Sequence, residues 1–136
     1  MVIYYFYLNF QYNFFLENSI ACLLLKNDEN KNLLHYCAIY GARDCLLYLI
    51  KFKIIKTNEK DDSGEVPLSY LIKNQSENTK RNREMFLWLC NFTEVLVTNS
   101  EGVPLIDLFN SWQNHIYKKY VVSSKVRNYV LETESN

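Results

Sequence analysis

Three segments in a common register constrain this chain more than anything else in it. They read ENKNLLHY from Glu29, SGEVPLSY from Ser63 and SEGVPLID from Ser100, and superposing their leucines puts Leu34, Leu68 and Leu105 at intervals of 34 and 37 residues. Recurrence near this length marks a stack of supersecondary units, none of which buries its apolar face alone. A chain of 136 residues holds about three to four such units in one cooperative domain.

Composition agrees with a folded chain. Hydrophobic residues make up 49% and charged residues 22%, near globular averages. Fifteen basic and fifteen acidic residues give a formal net charge of zero, so no global field steers the chain to nucleic acid, which is not an expected partner. The four cysteines, Cys22, Cys37, Cys45 and Cys90, form no CxxC pair and have no histidine pair at zinc-ligand spacing. Each lies among apolar neighbours, as a reduced core cysteine does, so the expected compartment is cytoplasmic, with the nucleus as the alternative. The opening MVIYYFYLNFQYNFF is aromatic, yet no basic residue precedes it and Asn9, Gln11, Asn13, Glu17 and Asn18 interrupt it before the roughly 20 apolar residues of a spanning helix. Packing of this segment on the next unit is favoured over membrane contact, and a start inside a longer gene is the remaining reading.

The stretch LLHYCAIYGARDCLLYLI, residues 33–50, resembles the first helix, glycine turn and second helix of the ankyrin repeat family. Leu34 and His35 match the Leu-His of that family's T-P-L-H-x-A signature, and Gly41 matches the glycine between its helices. Cys37 and Ala38 are small enough for neighbouring helices to approach, and Leu46, Leu49 and Ile50 build one helical stripe. Asp61 to Gly64 resemble the family's β-turn finger, with Pro67 in the first helical turn, Leu68 following and Ser69 in place of the signature histidine. Gly102, Pro104 and Leu105 repeat the pattern with one residue deleted and a charge, Asp107, near an expected core position. Asn30 fills the turn position of Gly64 and Gly102, where Asn tolerates the left-handed region.

The resemblance implies an all-α fold, an ankyrin-type helical repeat solenoid with short β-turn fingers. Residues 1–26 are then a partial or capping N-terminal unit, 27–60 a well-matched repeat, 61–98 a repeat carrying a polar loop at 73–83, 99–131 a degenerate C-terminal capping repeat and 132–136 a tail. The segment KNQSENTKRNR at 73–83 has no apolar residue and is expected in solvent, with Lys80, Arg81 and Arg83 more plainly solvated than functional. In EMFLWLCNF, from Glu84, four consecutive apolar residues predict a central helix buried on more than one side. From His115 onward, Ile116 with Tyr120 and Tyr117 with Val121 at four-residue spacing predict an amphipathic capping helix.

The histidines are His35, which resembles the family's structural histidine, and His115, read as opening a helix alone. No nucleophile elbow, phosphate loop, dinucleotide fingerprint or zinc-hydrolase motif occurs, and Asp61 with Asp62 is explained as a turn start better than as a metal site. No enzyme activity, cofactor, metal or small-molecule ligand is expected. What the resemblance implies instead is a scaffold or adaptor binding an unidentified partner protein through its concave finger and first-helix surface. The residues placed there by alignment are Lys60, Asp62, Ser63 and Glu65, then Asn99, Ser100 and Glu101, with Tyr36 and Tyr70 on the first helices. The alternative is a regulatory or targeting fragment of a larger multidomain enzyme or membrane-anchored protein.

Overall fold

A computed structural model describes residues 22–121 of the chain. Its regular elements are α1 (Leu33–Tyr40), α2 (Arg43–Lys51), α3 (Pro67–Asn74), α4 (Lys80–Phe92), a 3-10 turn (Leu105–Leu108), α5 (Ser111–Ile116) and a wider π-type turn (Tyr117–Val121). Among the described residues there is no β-strand, only a single bridge between Thr98 and Pro104.

The helix ends follow from their residues. The Asn32 side chain accepts from the His35 amide, and the His35 ring accepts from the Asn32 amide, a capping box with histidine in the position usually held by Glu or Gln. Gly41 closes α1 at φ 69°, and a Cβ there would meet the Gln75 side chain at 3.1 Å, so the turn needs glycine twice over. Pro67 opens α3, Thr79 caps α4 through the Asn82 amide, and Asn110 with Gln113 forms a second capping box at α5. At the end of α2 the Lys53 amide donates to Ile50 O at 3.1 Å and the Ile54 amide to Leu49 O at 3.0 Å, a double closure that puts Lys53 at φ 53°.

The helices pair in two rows. Within each hairpin α1 meets α2 and α3 meets α4; between hairpins α1 packs on α3 and α2 on α4. Leu34, Leu46, Leu49, Leu68, Phe86 and Leu89 are wholly buried at the centre, each such burial contributing about 1.5–3 kcal/mol. Cys37 and Ala38 are buried, Cys37 beside the Cys45 thiol of α2. The α4 helix touches α2, α3, α5 and the π-type turn, which is why Met85, Phe86, Leu89 and Cys90 are buried while Leu87 and Trp88 are half-buried. Phe86 meets Phe109 edge-on at 5.0 Å and Trp112 at 5.6 Å, joining the second hairpin to the C-terminal segment.

Several expectations are corrected. The polar stretch 73–83 is not one loop: Lys73 and Asn74 finish α3, Lys80 to Arg83 begin α4, and only 75–79 connect them. Within it Asn82 is buried, donating to Glu77 O at 2.9 Å. Cys22 is exposed, unlike the other three cysteines. In the C-terminal unit the expected first helix is reduced to the 3-10 turn, and this shorter turn carries Asp107 into solvent and not toward the core. His115 stands in the last turn of α5, whose start belongs to Asn110. Tyr117 and Val121 are both buried at their four-residue spacing, whereas Tyr120, four after Ile116, is 52% exposed, and the wider π-type turn brings Ile116 and Val121, five apart, to the buried side instead. The readings for 1–21 and for 122–136 lie outside the described residues.

Candidate interaction surface on three repeated loops

Ahead of α1, ahead of α3 and ahead of the 3-10 turn the backbone makes the same five-residue loop three times. In 27–31, 61–65 and 99–103 the first residue's amide donates to the fifth residue's carbonyl, at 3.0 Å for Asn27, 3.0 Å for Asp61 and 2.8 Å for Asn99. The fourth residue's amide returns to the first residue's carbonyl at 3.0 Å in each loop. One side-chain oxygen heads each loop: Asn27 Oδ1 accepts from the Glu29 and Lys31 amides, Asp61 Oδ1 from Ser63 and Glu65, and Asn99 Oδ1 from Glu101 and Val103. The fourth residues, Asn30, Gly64 and Gly102, have φ of 60°, 77° and 81°. Asn30, Gly64 and Gly102 therefore occupy the equivalence read from the sequence.

The first two loops are bonded into a row. The Asp62 amide donates to Glu29 O at 2.9 Å and Asn30 Nδ2 to Asp62 Oδ1 at 2.8 Å. Behind them His35 is fully buried, with Nδ1 accepting from the Asn32 amide and Nε2 close to Glu65 O at 2.9 Å. Only the neutral tautomer with its proton on Nε2 makes both bonds. Burial holds the ring's pKa below its ordinary 6.5, against the opposing pull of the Glu65 carbonyl. Ser69, the counterpart of His35, is too short to repeat this tie, and its buried hydroxyl has no partner. The third loop is joined through the Ser100 hydroxyl and Glu65 Oε1 at 3.4 Å.

Asp61 anchors the row electrostatically. Tyr70 donates to its second oxygen and Lys31 Nζ lies 3.5 Å away, over the Tyr70 ring at 5.5 Å. Burial pushes the Asp61 carboxyl up, and the Tyr70 hydroxyl, the Glu65 amide and Lys31 more than reverse this, leaving it below its ordinary value. Burial and the adjacent Asp61 carboxylate push the Tyr70 hydroxyl up to about 12. The Glu29 carboxylate holds the Lys31 ammonium above its ordinary range despite burial.

Of the residues assigned to a partner surface by alignment, Lys60, Asp62, Ser63, Ser100 and Glu101 are exposed. Glu65 is not on the surface: it is 4% exposed, wedged between the second and third loops with Lys73 Nζ at 3.6 Å. Tyr70 and Asn99 are committed inward, Tyr70 to Asp61 and Asn99 to its own loop. Tyr36 is half-buried, accepts from Asn27 and stacks on Tyr40 at 6.2 Å with ring planes 8° apart. Tyr40, 51% exposed, is the larger free surface and was missed, although its place four residues after Tyr36 on α1 signals it. Asp28, Glu29 and Asn30, in the first loop, are exposed equivalents of the residues assigned in the other two.

The surface so formed carries Asp28, Glu29, Asp62 and Glu101 and is acidic, with Lys60 beside it. His35 has both ring nitrogens engaged and no exposure, so it reaches no substrate. Among the described residues no group of three His, Cys, Asp or Glu side chains is placed to hold a metal ion, and no helix is long and apolar enough to cross a membrane. Compared with protein-family models, curated proteins and solved structures, the chain matches none.

Proposed function

We propose that the chain is an ankyrin-type helical repeat stack whose loops are the fingers of that family, and that it works as a scaffold or adaptor binding a partner protein. The observation that carries this reading is the threefold recurrence of one hydrogen-bonded loop, at a spacing that fits one helical hairpin per unit. The residues that construction leaves exposed, Asp62, Ser63, Ser100 and Glu101 with Tyr40 on α1, form the contact surface. Its chemistry selects a partner patch rich in Lys or Arg around an apolar centre that covers Tyr40.

The test compares crosslinked partners of the wild-type chain and of a D62K/E101K variant in native lysate. Both positions are exposed, but D62K also removes the acceptor of Asn30 Nδ2, so melting temperature is measured alongside, and a partner lost from a variant that still melts with the wild type is lost through the surface. Loss of the principal partner from D62K/E101K and from Y40A supports the assignment. An unchanged set of partners overturns it.

A further inference from the structure

The molecule carries a second surface, of opposite charge, on its other row of helices. A groove of about 400 Å³ opens between the C-terminal ends of α2 and α4, walled by Ile50, Ile55 and Phe92 and rimmed by Lys53 and Lys56. Phe92 is 52% exposed there. The wall is held in place: Thr57 Oγ1 donates to Phe92 O, and the Glu94 amide donates to Asn58 Oδ1 at 2.9 Å. Lys51, Lys53 and Lys56 follow one another at the end of α2, all exposed and none ion-paired among the described residues, and Glu59, in the same stretch, is paired with Lys26. Glu94 and Asp44 are the exposed carboxylates of the adjoining elements, and Asp44 is paired with Arg43.

Lys53 supplies an independent observation. It stands at φ 53° in the closing position of α2, where glycine avoids the steric penalty of a Cβ and is the usual residue. The side chain makes no hydrogen bond or ion pair among the described residues that would offset that strain. A residue with a Cβ, here a lysine, thus stands beside the groove where glycine is the usual choice.

We propose that this groove docks a short acidic segment of a partner protein, one aromatic or aliphatic side chain entering between Ile50, Ile55 and Phe92 while flanking carboxylates meet Lys53 and Lys56. Charge complementarity chooses the occupant, and concavity favours a peptide anchor over the flat contact of an anionic membrane. None of the residues lining the groove belongs to the three acidic loops.

Binding is measured by fluorescence anisotropy with eight-residue synthetic peptides carrying a central Phe between Glu pairs, and with the same peptides carrying Lys for Glu. The acidic peptide is expected to bind, and K53E/K56E and F92A each to weaken it at least tenfold, while D62K/E101K binds it as wild type does. K53G is the decisive variant: it is expected to raise the melting temperature and yet lower affinity several-fold, which no purely structural lysine does. Binding of the Lys peptide that F92A weakens as much as it weakens the acidic one, unchanged affinity in K53G, or loss of acidic-peptide binding in D62K/E101K overturns the proposal. So does lysine-dependent binding to phosphatidylserine vesicles without binding to the peptide.

Discussion

Asp61 and His35 show how much single side chains decide. Asn27 and Asn99 head their loops with a neutral amide oxygen where Asp61 uses a carboxylate, so the loop itself needs an acceptor and not a charge. D61N should therefore keep the loop, lose the pairing with Lys31 and turn the Tyr70 hydroxyl from donor to acceptor, as Tyr36 is toward Asn27, whereas D61A strands the Ser63 and Glu65 amides and the Tyr70 hydroxyl. D61A is expected to cost about 1–3 kcal/mol more than D61N in urea denaturation. His35 is neutral in the folded chain and titrates below 6.5, while in the unfolded chain it titrates near that value. The folded state then binds fewer protons, so the stability His35 contributes is complete above about pH 6.5 and declines as pH falls below it. Melting temperatures at pH 7.5 and 5.5 should show this fall in the wild type and a smaller one in H35Q, whose side chain bonds without titrating.

At the scale of elements, the first hairpin was legible because its residues agree at every level. Asn32 caps, Gly41 turns, and the apolar positions of α1 and α2 keep helical register. The second was half legible: Pro67 marked the start of α3, but absence of apolar residues hid the first turn of α4, which is begun by Thr79 and not by burial. The third was misread because the segment stops at Leu108 and Asn110 caps a new helix two residues on, a break that motif matching does not register. Among the surface residues, exposure at Asp62 followed from the loop, whereas burial of Glu65 did not, since it depends on Lys73 and Ser100 from other elements. Aromatic contacts now join the irregular third unit to α4, and Phe86 is their hub. F86A is expected to cost about 3–5 kcal/mol, with Phe109 and Trp112 left facing a void, while Y40A changes stability by less than about 0.5 kcal/mol. Calorimetry of both variants separates the structural aromatic from the surface one.

For the whole molecule, a formal charge of zero conceals a separation: carboxylates collect at the repeated loops, and lysines without an ion pair among the described residues collect at the end of α2 and just after it. Association at the acidic loops should accordingly slow as salt rises from about 50 to 300 mM, with dissociation little changed, since screening acts mainly on the encounter of exposed charges. Stopped-flow measurement with the partner from the crosslinking test reads both rates. The cysteines add a different kind of information. Burial, with the Cys45 thiol beside it, pushes Cys37 well above the ordinary thiol range, and Cys90 is equally enclosed in α4, whereas Cys22 is open to solvent. The chain thus carries its own clocks: one thiol modified on mixing, and others whose modification waits for a hairpin to open. Helical hairpins joined by neighbour contacts need not open at once, so the order in which Cys37, Cys45 and Cys90 become reactive would reveal which hairpin opens first.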